Sequence, residues 1–393
     1  MPSRKTSDKM FLELTSDIDA QAFGDSIKAY FSQFQDPRSS ERCVYPSWYL
    51  LFVLISGCLA GCNTIADIVH YVELKTDWLN STLGTAFRPV SYDTLWWFLA
   101  RVHPDAMKQL LSDWLQGLQP DLRNQLLAID GKRLRGVSDN EHITHLVELF
   151  AVEGRLVIAQ ERVPDKKCER KALHSLLKTV DVTGAIISMD AHYAYVEDLQ
   201  KILLQGADYL VGIKGNQGGL MAEAQNYFEQ AREAQYASEE FQCHTTHDKG
   251  HGRIETRHVC VSYDLDWLPQ REEWGLKALV EVRSERVTGD HTERAVRYYG
   301  SSRVAGPEQF AKWIRGHWKI ESLHHVLDVV FREDAALAQA GYSAENMSLL
   351  RRLSMNIVRV FDSNRGLADA RRCATHEPLY LRGLLSKVFI RKC

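Results

Sequence analysis

The first 120 residues carry apolar side chains at the three- and four-residue spacing of amphipathic helices. This spacing predicts helices over residues 18–34, 48–59, 65–74 and 92–102. A polar connection separates the last two helices, as in a helix-turn-helix that binds DNA. The alternative is a packed core, because a run such as Trp96, Trp97 and Phe98 is more often buried than inserted into a groove. We therefore expect residues 1–120 to form a helical N-terminal domain that could bind DNA.

A different pattern starts near residue 121, where short apolar runs of strand length alternate with helical segments. The segments are residues 126–130, 142–151, 156–163, 167–180, 185–189, 195–205 and 209–213. Their order, βββ-α-β-α-β, is typical of a ribonuclease-H-like core, in which an antiparallel hairpin extends a parallel sheet. The expected fold class is therefore α/β with a mixed sheet, and residues 121–240 are the first part of its core.

The second half of the chain begins with β-rich runs and ends in helices. The runs at residues 259–263, 278–287 and 295–301 predict a β-rich insertion over residues 241–306. Pro307 then opens a helical pattern, which we expect to be the last core helix within the final region, residues 307–393. From residue 351 onward this region has ten lysines and arginines but three acidic residues. Such a basic segment is either a solvated helical face or a contact with nucleic acid.

The composition is that of an ordinary globular protein of 393 residues with a net charge of −3. This charge argues against a protein that coats DNA generally, but it allows local cationic patches. The eight cysteines form no CxxC pair and no zinc-binding spacing, so we expect reduced thiols that pack as small apolar residues. The N-terminus lacks the apolar segment of a signal peptide, and the uncharged residues 43–66 contain too few apolar positions for a membrane span. A cytoplasmic protein without a membrane segment is expected.

An acidic residue ends the first predicted strand, and cations follow it. Asp130 directly follows an apolar run. It is followed by a glycine and three cations, namely Gly131, Lys132, Arg133 and Arg135. A carboxylate at the end of a buried strand is a common way to present a metal ligand or a general base to a cleft, and the cations would favour a phosphate backbone as substrate. Taken alone, these residues could also form a turn with a solvated cationic rim.

Asp190 ends the fourth predicted strand in the same way. If the first and fourth strands are parallel neighbours, Asp130 and Asp190 emerge at one end of the sheet within reach of a shared cation. Two carboxylates that close would repel each other unless a metal ion neutralised them. Oxygen ligands favour Mg²⁺, for which Mn²⁺ can substitute, and a phosphate substrate can supply the remaining ligands. Asp190 alone could equally begin a surface turn.

Polar residues after the fifth strand and in the insertion could contact DNA. Lys214 would meet a phosphate, and Asn216 and Gln217 would meet backbone or base, although the two amides fit a surface turn equally well. Residues 247–255 contain histidines and acids, but their glycines and cations are typical of a loop that grips phosphates rather than of a zinc site. The residues of this loop that we expect at the DNA are His251 and Arg253.

The helix after Pro307 carries a polar stripe along an otherwise apolar surface. Its members recur at helical spacing and therefore share one face, and they are His317, Glu321, His324 or His325, and Asp328. A carboxylate and imidazoles on so apolar a helix would be costly to bury without partners. A cleft with cations would provide partners, so the third acidic residue is expected on this helix.

Five segments of the chain match motifs of one family in the same order. They are residues 128–136 (AIDGKRLRG), 187–191 (ISMDA), 208–217 (DYLVGIKGNQ), 251–257 (HGRIETR) and 317–334, which begins HWKIE and ends in LDVVFRED. With these motifs the chain resembles the ISAs-type, or H-repeat-associated, transposases of bacterial insertion sequences. The resemblance extends from about residue 35 to residue 360 and includes the helical N-terminal region.

The resemblance implies a DDE enzyme on a ribonuclease-H-like core, in which Asp130, Asp190 and Glu321 would hold two Mg²⁺ ions. It also implies a β-rich insertion before the glutamate, where this sequence has one. The segments 165–170 and 191–195 depart from the family pattern, which could alter how DNA is held.

A further departure concerns the glutamate itself. His317 and Asp328 stand where related DDE families have an arginine and a lysine. Glu255 and Asp328 therefore remain alternatives to Glu321 as the third acid. Two residues beside Glu321 are also expected to contact DNA, namely His317 and Lys319.

The implied function is transposition. Such an enzyme cuts transposon ends and joins their 3′-hydroxyls to target DNA by metal-assisted phosphoryl transfer. Its expected partners are double-stranded DNA, both terminal inverted repeats and target, and a second copy of the chain, because two ends must be paired. We expect the protein in the bacterial cytoplasm, associated with the nucleoid. Two alternatives remain: a metal-dependent nuclease on the same core that does not join strands, and a domesticated derivative that only binds DNA.

Overall fold

The structure is a computed structural model, and it describes residues 19–38, 43–118, 121–134, 145–237, 241–250, 252–336 and 341–390. The N-terminal part of the described chain is helical, as the apolar spacing predicts. Its helices are α1 (Ala20–Tyr30), α2 (Ser47–Leu59), α3 (Ile65–Leu83), α4 (Tyr92–Arg101) and α5 (Pro104–Leu118). No helix of the described residues is long and apolar enough to cross a membrane, and the uncharged α2 is buried in the interior instead.

Local hydrogen bonds determine where α3 and α4 begin and end. Thr64 and Asp67 form a reciprocal capping box at the start of α3, and the Ser91 hydroxyl caps α4. Gly84 ends α3 with φ 61°, a left-handed conformation that glycine adopts without a steric penalty. The predicted core packing holds for Phe98, which is buried, whereas Trp97 is 48 % exposed.

Within the described residues, the strands form one mixed sheet of nine strands in the order β3-β2-β1-β4-β5-β9-β8-β7-β6. The strands are β1 (Leu126–Arg133), β2 (His145–Ala151), β3 (Leu156–Val163), β4 (Ile186–Met189), β5 (Asp208–Ile213), β6 (Phe241–Gly250), β7 (Arg253–Ser262), β8 (Ala278–Thr288) and β9 (His291–Ser301). Strands β1, β4 and β5 are parallel neighbours, and β2 and β3 pair antiparallel beside β1. The mixed α/β architecture and the predicted strand order of the first five strands are confirmed.

The insertion continues the core sheet. Strand β9 pairs antiparallel with β5, and β8, β7 and β6 follow as an antiparallel meander. The remaining helices are α6 (Glu169–Thr179), α7 (Val196–Leu204), α8 (Gly218–Glu233), α9 (Arg271–Trp274), α10 (Pro307–His317), α11 (Lys319–Val330), α12 (Ser343–Phe361), α13 (Leu367–His376) and α14 (Pro378–Phe389). The predicted long helix from Pro307 is thus divided into α10 and α11 at Trp318.

The two faces of the sheet pack against different helices. In β1, Leu126 and Ala128 belong to an apolar cluster with residues of α10 and α11, such as Phe310. Leu127 and Ile129 belong to the other cluster, which includes residues of α6, α7 and α8. The alternation of side chains along a strand therefore decides which helices a given residue of β1 meets.

The expectation that all cysteines are reduced thiols is wrong for Cys243 and Cys260, which form a disulfide between β6 and β7. The two residues lie directly opposite each other in the antiparallel register, with Cα atoms 4.2 Å apart. This proximity arises from strand pairing, which the spacing of cysteines along the chain does not reveal.

The basic C-terminal segment is neither a solvated face nor a nucleic-acid contact at three of its positions. Arg351, Arg352 and Arg371 are each at most 4 % exposed. The Arg371 guanidinium donates hydrogen bonds to the backbone carbonyls of Cys58 and Cys62 in the N-terminal helical region. Burial of these cations is tolerated because each has polar partners there.

Candidate active site

Asp130 and Asp190 lie side by side where the parallel pairing of β1 with β4 ends. The expectation that Asp130 ends its strand is wrong, because β1 continues to Arg133 through its pairing with β2, whereas Asp190 directly follows β4. The pairing of β1 with β4 sets Ala128 opposite Ser188, and each aspartate stands two residues further along. Both aspartates therefore belong to the face of the sheet that α10 and α11 cover. Because neighbouring strands lie about 4.8 Å apart, the two carboxylates share one site.

The environment of Asp130 makes its ionised form less favourable than it is in water. Burial raises the pKa of Asp130 to about 6, although the His324 imidazole and the backbone N–H of Gly131 act in the opposite direction. The negative charges of Glu169 and Asp190 raise the pKa further. The Asp190 carboxylate accepts a hydrogen bond of 2.7 Å from the backbone N–H of His192, which holds it at the start of the following turn. A bound cation would stabilise the ionised form of both groups.

Two histidines of the α10–α11 segment contact the strands that carry the aspartates. His317 Nδ1 lies 3.1 Å from Ser188 Oγ, and burial lowers the pKa of His317 to about 4 despite the nearby charge of Asp190. His324 Nδ1 lies 3.8 Å from Asp130 Oδ2. The segment between the two histidines is thereby placed over the aspartate pair. His317 packs against β4 and is partly exposed, and its contact with DNA stays a prediction.

Glu321 lies between these two histidines in the chain and is exposed. Within α11 it precedes His324 by three positions and Asp328 by seven, so the three residues share a helix face. Both His324 and Asp328 contact residues of β1. The face that carries Glu321 is therefore the face turned toward the end of β1.

Both alternatives for the third acid are paired with cationic side chains. Glu255 on β7 is 7 % exposed, and its Oε1 lies 2.5 Å from the Arg257 guanidinium. Asp328 Oδ1 lies 2.5 Å from Lys132 Nζ. Glu255 thus belongs to an ion pair of the outer meander, and Asp328 to an ion pair beside the aspartates.

The pair with Asp328 also changes the interpretation of Lys132. Its side chain is 6 % exposed, and its Nζ lies 3.8 Å from the buried Glu333. Lys132 is therefore an interior ion-pair partner rather than part of a cationic rim, because it shares its face of β1 with Asp130 and turns toward α11. The buried ammonium group of Lys132 does not offer a surface contact to DNA.

The amides after β5 hold the turn that follows Asp190. Asn216 Nδ2 donates to the carbonyl of Ala191 at 2.6 Å, and Gln217 Nε2 donates to the carbonyls of Ala191 and Ala194 at 3.2 and 3.0 Å. Both amides thus hold this turn, as the surface-turn interpretation expects, while Asn216 is exposed. The contacts of these two residues with DNA stay predictions.

Other predicted DNA contacts remain at the surface. The exposed residues are Arg133, Lys214, Arg253 and Lys319. Arg133 lines a cleft of ≈ 560 Å³ together with Gly131, Lys132, His324, Asp328 and Asp334. This cleft opens directly beside Asp130. Arg135 and His251 lie outside the described residues.

A buried carboxylate that was not predicted from the sequence binds His324. Glu148 is fully buried and directly opposite Asp130 in the β1–β2 register, and its Oε2 lies 2.9 Å from His324 Nε2. Burial alone would raise the pKa of Glu148, but the charges of Arg352 and His324 lower it to about 2. Arg352 in α12 also binds Glu333. An acidic residue inside the fully buried run HLVELFA was the available signal.

The second missed carboxylate lies on the opposite face of the sheet. Glu169, the first residue of α6, is 3 % exposed. Its Oε1 lies 2.5 Å from His145 Nε2, and its Oε2 accepts a hydrogen bond of 3.2 Å from the Tyr193 hydroxyl. Its place in segment 165–170, which departs from the family pattern, was the available signal.

The donor atoms suit a hard divalent cation. Among the residues that the structure describes, no three acidic, histidine or cysteine side chains lie close enough together to hold a metal ion by themselves. Mg²⁺ is usually bound by one or two carboxylates together with substrate phosphates, so the adjacent oxygens of Asp130 and Asp190 fit such an ion. Glu321 could add a carboxylate from the facing helix.

Comparison with known families and proteins identifies the chain's relatives. Residues 122–357 match the family described as "Transposase DDE domain", and residues 28–115 match a family described as "DDE_Tnp_1-associated". Domains of the first family generally use divalent metal ions.

The relatives agree with this match. The chain is 30 % identical over 373 residues to "H repeat-associated putative transposase YhhI" of Escherichia coli strain K12, covering 92 % of this chain and 97 % of the relative. It is 29 % identical over 344 residues to "Putative transposase YncI" of Escherichia coli O157:H7, covering 85 % and 87 %. A cryo-EM structure of a piggyBac transposase synaptic complex with hairpin DNA is similar with a TM-score of 0.41 and 9 % identity, over 98 % of this chain and 82 % of that one. The chain belongs to the DDE transposase family, and its relatives include the H repeat-associated transposases that its motifs resemble.

Proposed function

We propose that this protein cuts DNA at the ends of a transposon and joins the resulting 3′-hydroxyls to target DNA, using a ribonuclease-H-like core. The observation that carries the proposal is the adjacent pair Asp130 and Asp190 on one face of the sheet, beneath the helix face that carries Glu321. The proposed partners are transposon terminal inverted repeats, target DNA and a second copy of the chain.

The proposed roles of the three acids follow from their placement. Asp130, Asp190 and Glu321 would hold divalent cations, with Mg²⁺ as the physiological ion and Mn²⁺ as a substitute. Two bound cations would activate the attacking oxygen and stabilise the leaving oxygen of the phosphodiester.

Other side chains orient the acids. Glu148 holds His324 through Nε2, which leaves Nδ1 turned toward Asp130 and limits the movement of that carboxylate. His317, held against Ser188 and neutral at pH 7, adds no positive charge that would compete with a cation at Asp190. Phosphoryl transfer depends mostly on positioning and electrostatics, so these contacts should affect the rate of cleavage.

Exposed cations beside the site and on the outer meander would bind the DNA backbone. Lys214 follows β5 beside the turn after Asp190, Lys319 precedes Glu321, Arg133 lines the cleft, and Arg253 begins β7. Contacts of this kind hold DNA in register without reading its sequence.

The test uses duplexes that carry the terminal repeats flanking the gene, incubated with the full chain and Mg²⁺. Asp130→Asn should abolish cleavage while DNA binding in a gel-shift assay survives, whereas Asp290→Asn in the β8–β9 turn should retain both activities. Full cleavage by a folded Asp130→Asn protein would exclude the assignment. Joining of pre-cut ends to a target plasmid separates a transposase from a nuclease that only hydrolyses.

The same assay identifies the third acid. Glu321→Gln should lose cleavage as Asp130→Asn does, because a ligand is removed. Glu255→Gln should retain it, because Glu255 is paired with Arg257 in the outer meander. If Glu255→Gln lost cleavage and Glu321→Gln retained it, the third acid would be Glu255 on β7.

A further inference from the structure

The contacts of Glu169 link the two chain segments that carry Asp130 and Asp190. Glu169 lies on the face of the sheet opposite α11, where the first turn of α6 meets the strands. A carboxylate at this end of a helix is favoured by the helix dipole. From this position Glu169 contacts the residue after Asp130 and the turn after Asp190.

The contact with the first segment is a close approach to Gly131. A Cβ atom at Gly131 would overlap Glu169 Oε1 and lie 2.5 Å from His145 Nε2. A side chain at this position would therefore require the Glu169 carboxylate to move. Glycine therefore allows the Glu169 carboxylate to pack directly against the backbone that follows Asp130, while His145 at the start of β2 holds the carboxylate there.

The contact with the second segment is the hydrogen bond from Tyr193. This residue ends the short turn Ala191–Tyr193, which directly follows Asp190, and its side chain is 1 % exposed. The hydroxyl donates to Glu169 Oε2 at 3.2 Å. Both oxygens of Glu169 are thus engaged, one toward each aspartate-bearing segment.

We infer that Glu169 is a positioning residue. It holds the residue after Asp130 and the turn after Asp190 at a fixed separation, so that the two aspartates can bind a cation together. It acts from the face opposite Glu321 and is not itself a ligand, because His145 and Tyr193 occupy its oxygens. The inference rests on the proposed function in so far as the held pair is the cation site. Residues that orient ligands in this way commonly contribute 10- to 100-fold, as an order of magnitude, to metal affinity.

The decisive variant is Tyr193→Phe, which removes one hydroxyl and leaves the charge and all proposed ligands in place. The matched control is Tyr236→Phe, because the Tyr236 hydroxyl also donates to a buried carboxylate, Glu281, at 2.7 Å in the outer part of the sheet. Gly131→Ala serves as a second variant, since the added methyl group must displace the Glu169 carboxylate.

The first measurement is Mn²⁺ binding to the full chain without DNA, followed by electron paramagnetic resonance. The comparison uses only the Mn²⁺ binding that is lost in Asp130→Asn. Tyr193→Phe and Gly131→Ala should weaken this binding about tenfold, and Tyr236→Phe should leave it within about twofold of the wild-type value. Equal affinity in wild type and both test variants would overturn the inference while leaving the cation site intact. Absence of any Asp130-dependent binding would overturn both the cation site and this inference.

The second measurement needs no metal ion. In hydrogen exchange followed by mass spectrometry, the peptide that contains residues 189–195 should exchange faster in Tyr193→Phe than in wild type. The reason is that the turn capped by Asp190 loses its attachment to α6. The same peptide should be unchanged in Tyr236→Phe. Unchanged exchange in Tyr193→Phe would show that Glu169 does not hold this turn.

Discussion

The two ends of the sheet use charged residues in different ways. In the half built from β1 to β5, charged side chains such as Glu148 and Lys132 are buried, and their partners come from helices far away in the chain. In the outer meander Glu255 and Glu281 are buried as well, but the cation Arg253 is exposed at the surface. Buried pairs fix geometry because an unpaired partner is costly, whereas exposed cations remain available to a polyanion. This difference supports the proposal that the first half positions the acids and that exposed cations of the meander bind DNA.

The largest expected effect is on stability. Arg352→Met should lower the free energy of unfolding by about 3–5 kcal/mol, because it leaves Glu148 and Glu333 buried without their common cation. Arg294→Met in the meander should change it by no more than about 1 kcal/mol, since its pair with Glu285 is exposed. Urea denaturation of the two variants tests the comparison, and equal losses would contradict it.

The next effect concerns catalysis. His324→Ala should lower the cleavage rate at saturating DNA about 10- to 100-fold, because Asp130 loses the imidazole that Glu148 holds against it. His258→Ala is the control, since His258 lies in the meander and contacts Thr245. Single-turnover cleavage with the terminal-repeat duplex gives the rates. If His324→Ala cleaved DNA as fast as the control, His324 would not position Asp130 for catalysis.

The smallest expected effect is on DNA affinity. Arg253→Ala should weaken DNA binding and reduce the dependence of log K on log salt by about one, as for the loss of one phosphate contact. The control is Arg294→Ala. Strand register places Arg253 on the face that carries α10 and Arg294 on the opposite face, so only the first should contribute. Equal slopes for both variants would remove the distinction between the two faces of the meander.

Much of the candidate site was predictable from short stretches of sequence. Asp130 and Asp190 each follow an apolar run, and the run length and order predict parallel neighbours, as the register confirms. The helical spacing of Glu321, His324 and Asp328 likewise predicts the shared face that now meets β1. These features are local, because the period of a strand or helix determines which side chains point the same way.

The partners of buried charges were not predictable. Arg352 binds Glu148, which is 204 positions away, and Lys132 binds Asp328, which is 196 positions away. A cation in a strand or helix looks the same in sequence whether it faces solvent or a buried carboxylate. For this reason the buried positions of Lys132 and of Arg351, Arg352 and Arg371 were not predicted.

The sequence by itself therefore determined the order of elements, the two aspartates that follow apolar runs, the polar face of α11 and, through its motifs, the DDE transposase family. Only the tertiary structure decided that Glu148 and Glu169 support the aspartates from different faces, that the insertion extends the core sheet, and that Cys243 meets Cys260. The physical reason is that periodicity reports which face of an element is apolar, whereas the partner of each buried polar group depends on which distant element covers that face.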